Sequence, residues 1–167
     1  MDFLGVINII LTVASVICTG VSIYSAFKSK GYYRNSKNLI SYKNINIAYI
    51  ECETIMGIFT KLLVLSNPQL NRAKNIHIEV ANHGRNMKNS INKIRENMYE
   101  KDFKAVKQLL DSKEKEIERY IDSLISGKGV VNNIFIVNDD FNMCQKNIVK
   151  IQELIKDRLD VISEKLK

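Results

Sequence analysis

The apolar positions of this chain follow two different patterns. From Phe3 to Phe27 all 25 residues are uncharged and apolar residues lie on most sides. At 1.5 Å per residue a helix of that length is longer than the ~30 Å hydrocarbon core of a bilayer. Beyond residue 39 apolar residues recur at steps of three and four, the mark of amphipathic helices that bury one face. The pattern predicts an all-α protein with three parts: an N-terminal transmembrane anchor over 1–27, a basic juxtamembrane linker over 28–38, and a cytoplasmic helical domain over 39–167. The last is expected as a bundle of about four amphipathic helices joined by short connections.

Within that domain the first stripe is Ile45, Ala48, Cys52, Ile55, Phe59 and Leu62, on a helix from about Leu39 to Leu65. Ser66-Asn67-Pro68 ends it, and Asn67 with Pro68 reads as cap and first position of the next helix. That helix carries Ala73, Ile76, Val80, Met87, Ile91, Ile94 and Met98, with His83 or Gly84 filling the gap in the row. A further helix shows Phe103, Val106, Leu110, Ile117, Tyr120 and Leu124, interrupted by Lys113. Ser126-Gly127-Lys128-Gly129 breaks the chain. Val130 to Val137 is β-branched, but a lone strand has no partner, so a loop or the first turns of the last helix are expected. Asp139 or Asp140 then caps a helix carrying Phe141, Cys144, Ile148, Ile151, Ile155, Ile162 and Leu166.

Charge orients the anchor. Only Met1-Asp2 precedes the uncharged run, while Lys28, Lys30, Arg34 and Lys37 follow it. The positive-inside rule puts the N-terminus outside and the large C-terminal part in the cytoplasm, across a bacterial inner membrane. The run is too long for the apolar region of a secretory signal and lacks a basic start, so it is expected to stay attached. Of the net charge of +7, the stretch from Lys28 to Arg95 holds 12 basic residues against 3 acidic ones, a net of +9. Anionic lipid is the first partner this suggests, with Lys28, Lys30, Arg34 and Lys37 as the lipid-binding residues. RNA is the competing partner. Cys18, Cys52 and Cys144 are widely spaced thiols with no metal or disulfide pattern, as in a reducing compartment.

One feature of the anchor calls for a partner. Asn8, Thr12, Ser15, Thr19 and Ser22 follow steps of four, three, four and three, so they share one helical face. Polar groups in hydrocarbon seek partners, and the sequence holds no second span. A homo-oligomer is therefore expected, with the stripe either as a hydrogen-bonded seam or as the lining of a pore. Ser and Thr can also bond back to their own backbone, which would leave the stripe without a role.

Candidate catalytic groups are sparse. His77 and His83 are the only histidines, no metal-ligand cluster occurs, and no cofactor is expected. Ser126-Gly127-Lys128-Gly129 lacks the phosphate-loop spacing and reads as a turn. His83, on the apolar stripe, reads as a satisfied core or interface histidine. Arg72-Ala73-Lys74-Asn75-Ile76-His77 has the form Arg, four residues, His, which resembles the motif of HEPN ribonucleases. In those helical proteins the Arg and His engage the scissile phosphate and its leaving group, so the resemblance implies Arg72 and His77 as catalytic residues. On one regular helix the two would lie about 140° apart, flanking the apolar stripe.

A single N-terminal span, a small helical cytoplasmic domain and this HEPN-like motif together resemble the membrane accessory proteins of RNA-targeting type VI CRISPR systems. The resemblance rests on layout and on Arg72/His77 alone. It implies an oligomeric inner-membrane effector in antiviral defence, working beside an RNA-guided effector protein, in which the motif need not cleave RNA. Two other readings stay open: a membrane-tethered, metal-independent RNase, and a non-enzymatic membrane adaptor or scaffold. Whether the chain is an enzyme is open, with the residues leaning against it.

Overall fold

Pro68 is the only proline of the chain, so nothing between Phe3 and Ser66 removes a helical hydrogen bond. In the computed structural model these residues form one α-helix, α1 (Phe3–Ser66). The structure describes residues 3–71, 73–98 and 104–166, with side chains from Ser15 onward. The basic stretch 28–38, expected as a linker, is helical instead. Its one glycine, Gly31, costs about 1 kcal/mol of helix propensity, too little to break a helix that extends for many residues on both sides. Among the described residues no helix is long and apolar enough to cross a membrane.

The chain divides into two units at Ile40/Ser41. The N-terminal unit is the first part of α1. The second unit, from Ser41 to Lys165, holds the rest of α1 with α2 (Ile76–Glu96), α3 (Lys104–Ile125) and α4 (Asp139–Glu164). Its core is the set of stripes read from the sequence. Ile45, Ala48, Cys52, Ile55, Phe59 and Leu62 of α1 are each 0% exposed. They meet Ile76, Val80, Met87, Ile91 and Ile94 of α2, Val106, Leu110, Ile117, Tyr120 and Leu124 of α3, and Phe141, Cys144, Ile148, Ile151, Ile155 and Ile162 of α4. Each such aliphatic side chain contributes about 1.5–3 kcal/mol by leaving water. Leu166, expected to end the last stripe, is 37% exposed, and Phe103 lies outside the described residues.

Polar ties give the relative direction of the helices. Glu51 of α1 reaches Ser90 and Lys93 of α2, while Arg95 and Lys88 of α2 reach Glu114 and Asp122 of α3. Glu116 of α3 meets Asn147 of α4, and the Tyr120 ring lies 6.3 Å from that of Phe141. In the α2/α3 and α3/α4 pairs the numbers rise on one helix as they fall on the other, and Lys61 beside His83 with Glu51 beside Ser90 does the same for α1/α2, so neighbours are antiparallel. The bundle is up-down-up-down.

Helix starts differ from expectation, by eight residues at the cap of α2 and by one or two at that of α4. Asn67 caps only one turn: its Oδ1 accepts from Gln69 N at 2.9 Å and its carbonyl from Asn71 N at 2.9 Å. Asn71 Oδ1 then accepts from Ala73 N at 2.9 Å, so local side-chain bonds hold the chain out of the helix. α2 begins after Asn75, whose Oδ1 accepts from Ile78 N at 3.2 Å. Likewise Asn138 caps α4, accepting from Phe141 N at 3.0 Å, and Asp139 and Asp140 occupy the first turn, where the helix dipole favours them.

Val130–Val137 is the clearest departure. Val130–Val131 (β1) pairs antiparallel with Ile134–Phe135 (β2), so the strand finds its partner within the same run. Asn132 and Asn133 form the turn with φ of 49° and 59°, a left-handed pair that asparagine tolerates and tight hairpins require. The hairpin delivers Phe135, 2% exposed, to an aromatic cluster with Phe141 at 6.1 Å. Gly129 makes room for it: a Cβ there would lie 2.9 Å from the Phe135 ring.

Candidate functional site

In the N-terminal unit every side chain from Ser15 to Lys37 is exposed. Val16, Ile17, Val21, Ile23, Tyr24 and Phe27 expose between 53% and 71% of their surface. Of the polar stripe, Asn8 and Thr12 have side chains outside the described residues. Thr19 Oγ1 donates to the Ser15 carbonyl at 2.8 Å, and Ser22 Oγ donates to the Cys18 carbonyl at 2.8 Å. Their hydroxyl protons are thus used within the helix, which leaves their oxygens as acceptors on the surface.

The basic residues that follow are not scattered. At about 100° per residue, Lys30, Arg34 and Lys37 fall in the same arc of roughly 120° as Ser15, Thr19 and Ser22. Val16, Ile23, Ala26 and Tyr33 share that arc. Lys28 stands opposite, with Ile17, Val21, Tyr24 and Tyr32, and its Nζ lies 5.8 Å from the Tyr32 ring centre. The four cations grouped by sequence therefore belong to two faces.

In the bundle unit an open groove of about 750 Å³ lies between α1 and α2. Glu51, Thr54, Gly57, Ile58 and Lys61 form one wall, and His83, Asn86, Asn89, Ser90, Asn92, Lys93 and Glu96 the other. Glu51 accepts from Ser90 Oγ at 2.7 Å and from Lys93 Nζ at 2.8 Å. Burial pushes its pKa up, but the Lys93 and Ser90 hydrogen bonds and the Lys93 charge outweigh that and hold the carboxyl below its ordinary value. A carboxylate so stabilised is a poor base, and Ser90 is 4% exposed, so the trio ties two helices together rather than activating a nucleophile.

His83 is half-buried at the edge of this groove, and its Nε2 is buried without a hydrogen-bond partner. It is not the satisfied histidine the sequence suggests. Burial and the Lys61 charge lower its pKa, against an opposing pull from Glu79, so the ring is neutral near pH 7. The gap in the α2 stripe is filled by Gly84, which is buried.

Of the HEPN-like pair only His77 is described. His77 is exposed in the first turn of α2, beside Gly127, where a Cβ would lie 3.0 Å from its Nδ1. Arg72 lies outside the described residues, so the pairing of the two is not established. Ser126-Gly127-Lys128-Gly129 is a helix stop: Lys128 N donates to the Ser123 carbonyl at 3.0 Å and Gly127 N to that of Leu124 at 3.0 Å, with Gly127 at φ 70°. That is the bonding of a glycine-capped helix end, not of a phosphate loop. Burial, with nearby acidic charge, pushes the Cys52 and Cys144 thiols up to about 12, which keeps them protonated. Among the described residues no group of His, Cys, Asp or Glu could hold a metal ion.

No family model matches this chain, and no curated protein or solved structure is detectably similar to it.

Proposed function

We propose that the chain is a single-pass bacterial inner-membrane effector that assembles into a membrane-depolarising pore. Residues 3–27 insert with the N-terminus outside, and the bundle lies in the cytoplasm, where it gates the assembly or receives its signal. The observation that carries this reading is the exposure of the uncharged helix from Ser15 to Phe27. Six large apolar side chains on a bare helix need lipid or protein around them. The back-bonded Thr19 and Ser22 hydroxyls lower the cost of entering hydrocarbon. Lys28 and the flanking tyrosines suit the headgroup region on the lipid side.

The antiviral setting comes from the resemblance to accessory proteins of RNA-targeting CRISPR systems, and infection is the natural trigger to supply. The test is membrane potential, read with a voltage-sensitive dye in bacteria under phage challenge. Wild type depolarises the cells, Asn8/Thr12/Ser15→Leu does not, and Arg72/His77→Ala still does. Loss of effect in the Arg72/His77 variant alone would favour the tethered RNase instead. No depolarisation by wild type under challenge would remove the pore and leave an adaptor.

A further inference from the structure

The polar stripe does not end where the uncharged run ends; it turns cationic. Lys30, Arg34 and Lys37 follow at steps of four and three, inside the same arc as Ser15, Thr19 and Ser22, and all are exposed. No Asp or Glu occurs anywhere between Phe3 and Ile50, so this part of α1 carries no counter-charge of its own. No ion pair to these three side chains is found among the described residues. The opposite face differs in charge, not in apolar content, since Val16, Ile23 and Tyr33 lie in the hydroxyl arc: beside Ile17, Val21, Tyr24 and Tyr32 it carries a single cation, Lys28, which leans on the Tyr32 ring. A long side chain beside an aromatic suits a lipid-facing position at the headgroups.

These two faces cannot exchange roles. If copies assemble with the hydroxyl face inward, Lys30, Arg34 and Lys37 of every copy turn inward as well, just beyond the hydrocarbon. Like charges gathered there repel, so that mouth cannot close as a dry seam; it stays open to water and draws anions. Rings of Lys and Arg at a constriction are also the arrangement that passes anions and rejects cations.

We propose that the assembly is an anion-selective pore whose cytoplasmic mouth is ringed by Lys30, Arg34 and Lys37, with Lys28 outside the conduction path. The inference rests on the pore reading above and adds its ion class. Small inorganic anions are the permeant species, and chloride is the probe.

The test is the full-length protein reconstituted in planar bilayers under a potassium chloride gradient. Wild type passes chloride several-fold better than potassium. Lys30/Arg34/Lys37→Gln brings the ratio close to one, the corresponding Glu variant inverts it, and Lys28→Gln leaves it unchanged. The substituted side chains are exposed, so bundle folding is unaffected, and unchanged helical circular dichroism verifies that. A wild-type preference for potassium, or a chloride preference untouched by the triple Gln substitution, would overturn the ion class while leaving a pore. Absence of any wild-type conductance would overturn the pore itself and this inference with it.

Discussion

His83 and Glu51 lie in one groove and respond to acid in different ranges. Both have lowered pKa values in the folded chain, so in both cases the unfolded chain binds more protons once the pH falls below the ordinary value. Stability is then lost on acidification. The His83 part begins as pH drops below 6.5, its ordinary value, because a neutral buried ring must take up charge beside Lys61. The Glu51 part begins only below 4.5, when the carboxylate that holds Ser90 and Lys93 is protonated. Lys93 and Glu96 share the groove, and Glu79 lies one turn before His83. Thermal unfolding of the full chain in detergent from pH 7 to 5 therefore shows a falling midpoint, and His83→Gln flattens it. A slope unchanged by that substitution would contradict the assignment. At this scale the sequence was partly mute. The partners of Glu51 are 39 and 42 residues away, a distance no local pattern spans. His83 was visible as a polar residue at the edge of an apolar stripe, but its unpartnered Nε2 depends on what the facing helix supplies.

Among the elements, α2 and α3 approach closely at Gly84. A Cβ there would lie 2.9 Å from Leu124 Cβ and 3.0 Å from the Ile125 backbone nitrogen, neither of which can rotate away. Gly84→Ala gains roughly 1 kcal/mol of helix propensity but forces the helices apart, at a cost of about 1–3 kcal/mol. A net loss of about 1 kcal/mol is expected, read as a lower urea midpoint for loss of helical circular dichroism. A raised midpoint would mean that the helices separate freely there. The stripes of all four helices were legible because burial and helical period coincide: the six residues read for α1 are all fully buried. Boundaries were less so. Asn67-Pro68 has the chemistry of a helix start, yet the Asn71 side chain captures the next backbone donor and delays α2 to Ile76. The hairpin was missed because a strand of two residues is below any periodic signal. Asn132-Asn133 between two β-branched or aromatic pairs was the available clue.

For the molecule as a whole, the chain combines a bundle that satisfies itself with a helix that does not. The bundle unit buries its stripes and ties its helices through Glu51, Arg95 and Glu116. The first part of α1 exposes apolar residues on both sides, with Lys30, Arg34 and Lys37 gathered on the side of the Ser15, Thr19 and Ser22 hydroxyls. The division between them was legible as a change of hydrophobic pattern near residue 39. That no linker separates the two parts was not, since a run of Lys, Ser, Tyr and Asn with one glycine has the composition of a loop while containing nothing that stops a helix. The central claim is that this helix sits in a membrane, and alkaline carbonate extraction of bacterial membranes tests it most directly. The account predicts that the full chain stays in the membrane pellet and that Ile17→Arg with Val21→Arg moves it to the soluble fraction. Release of the wild-type chain by carbonate, or its recovery with the soluble proteins from the start, would contradict it.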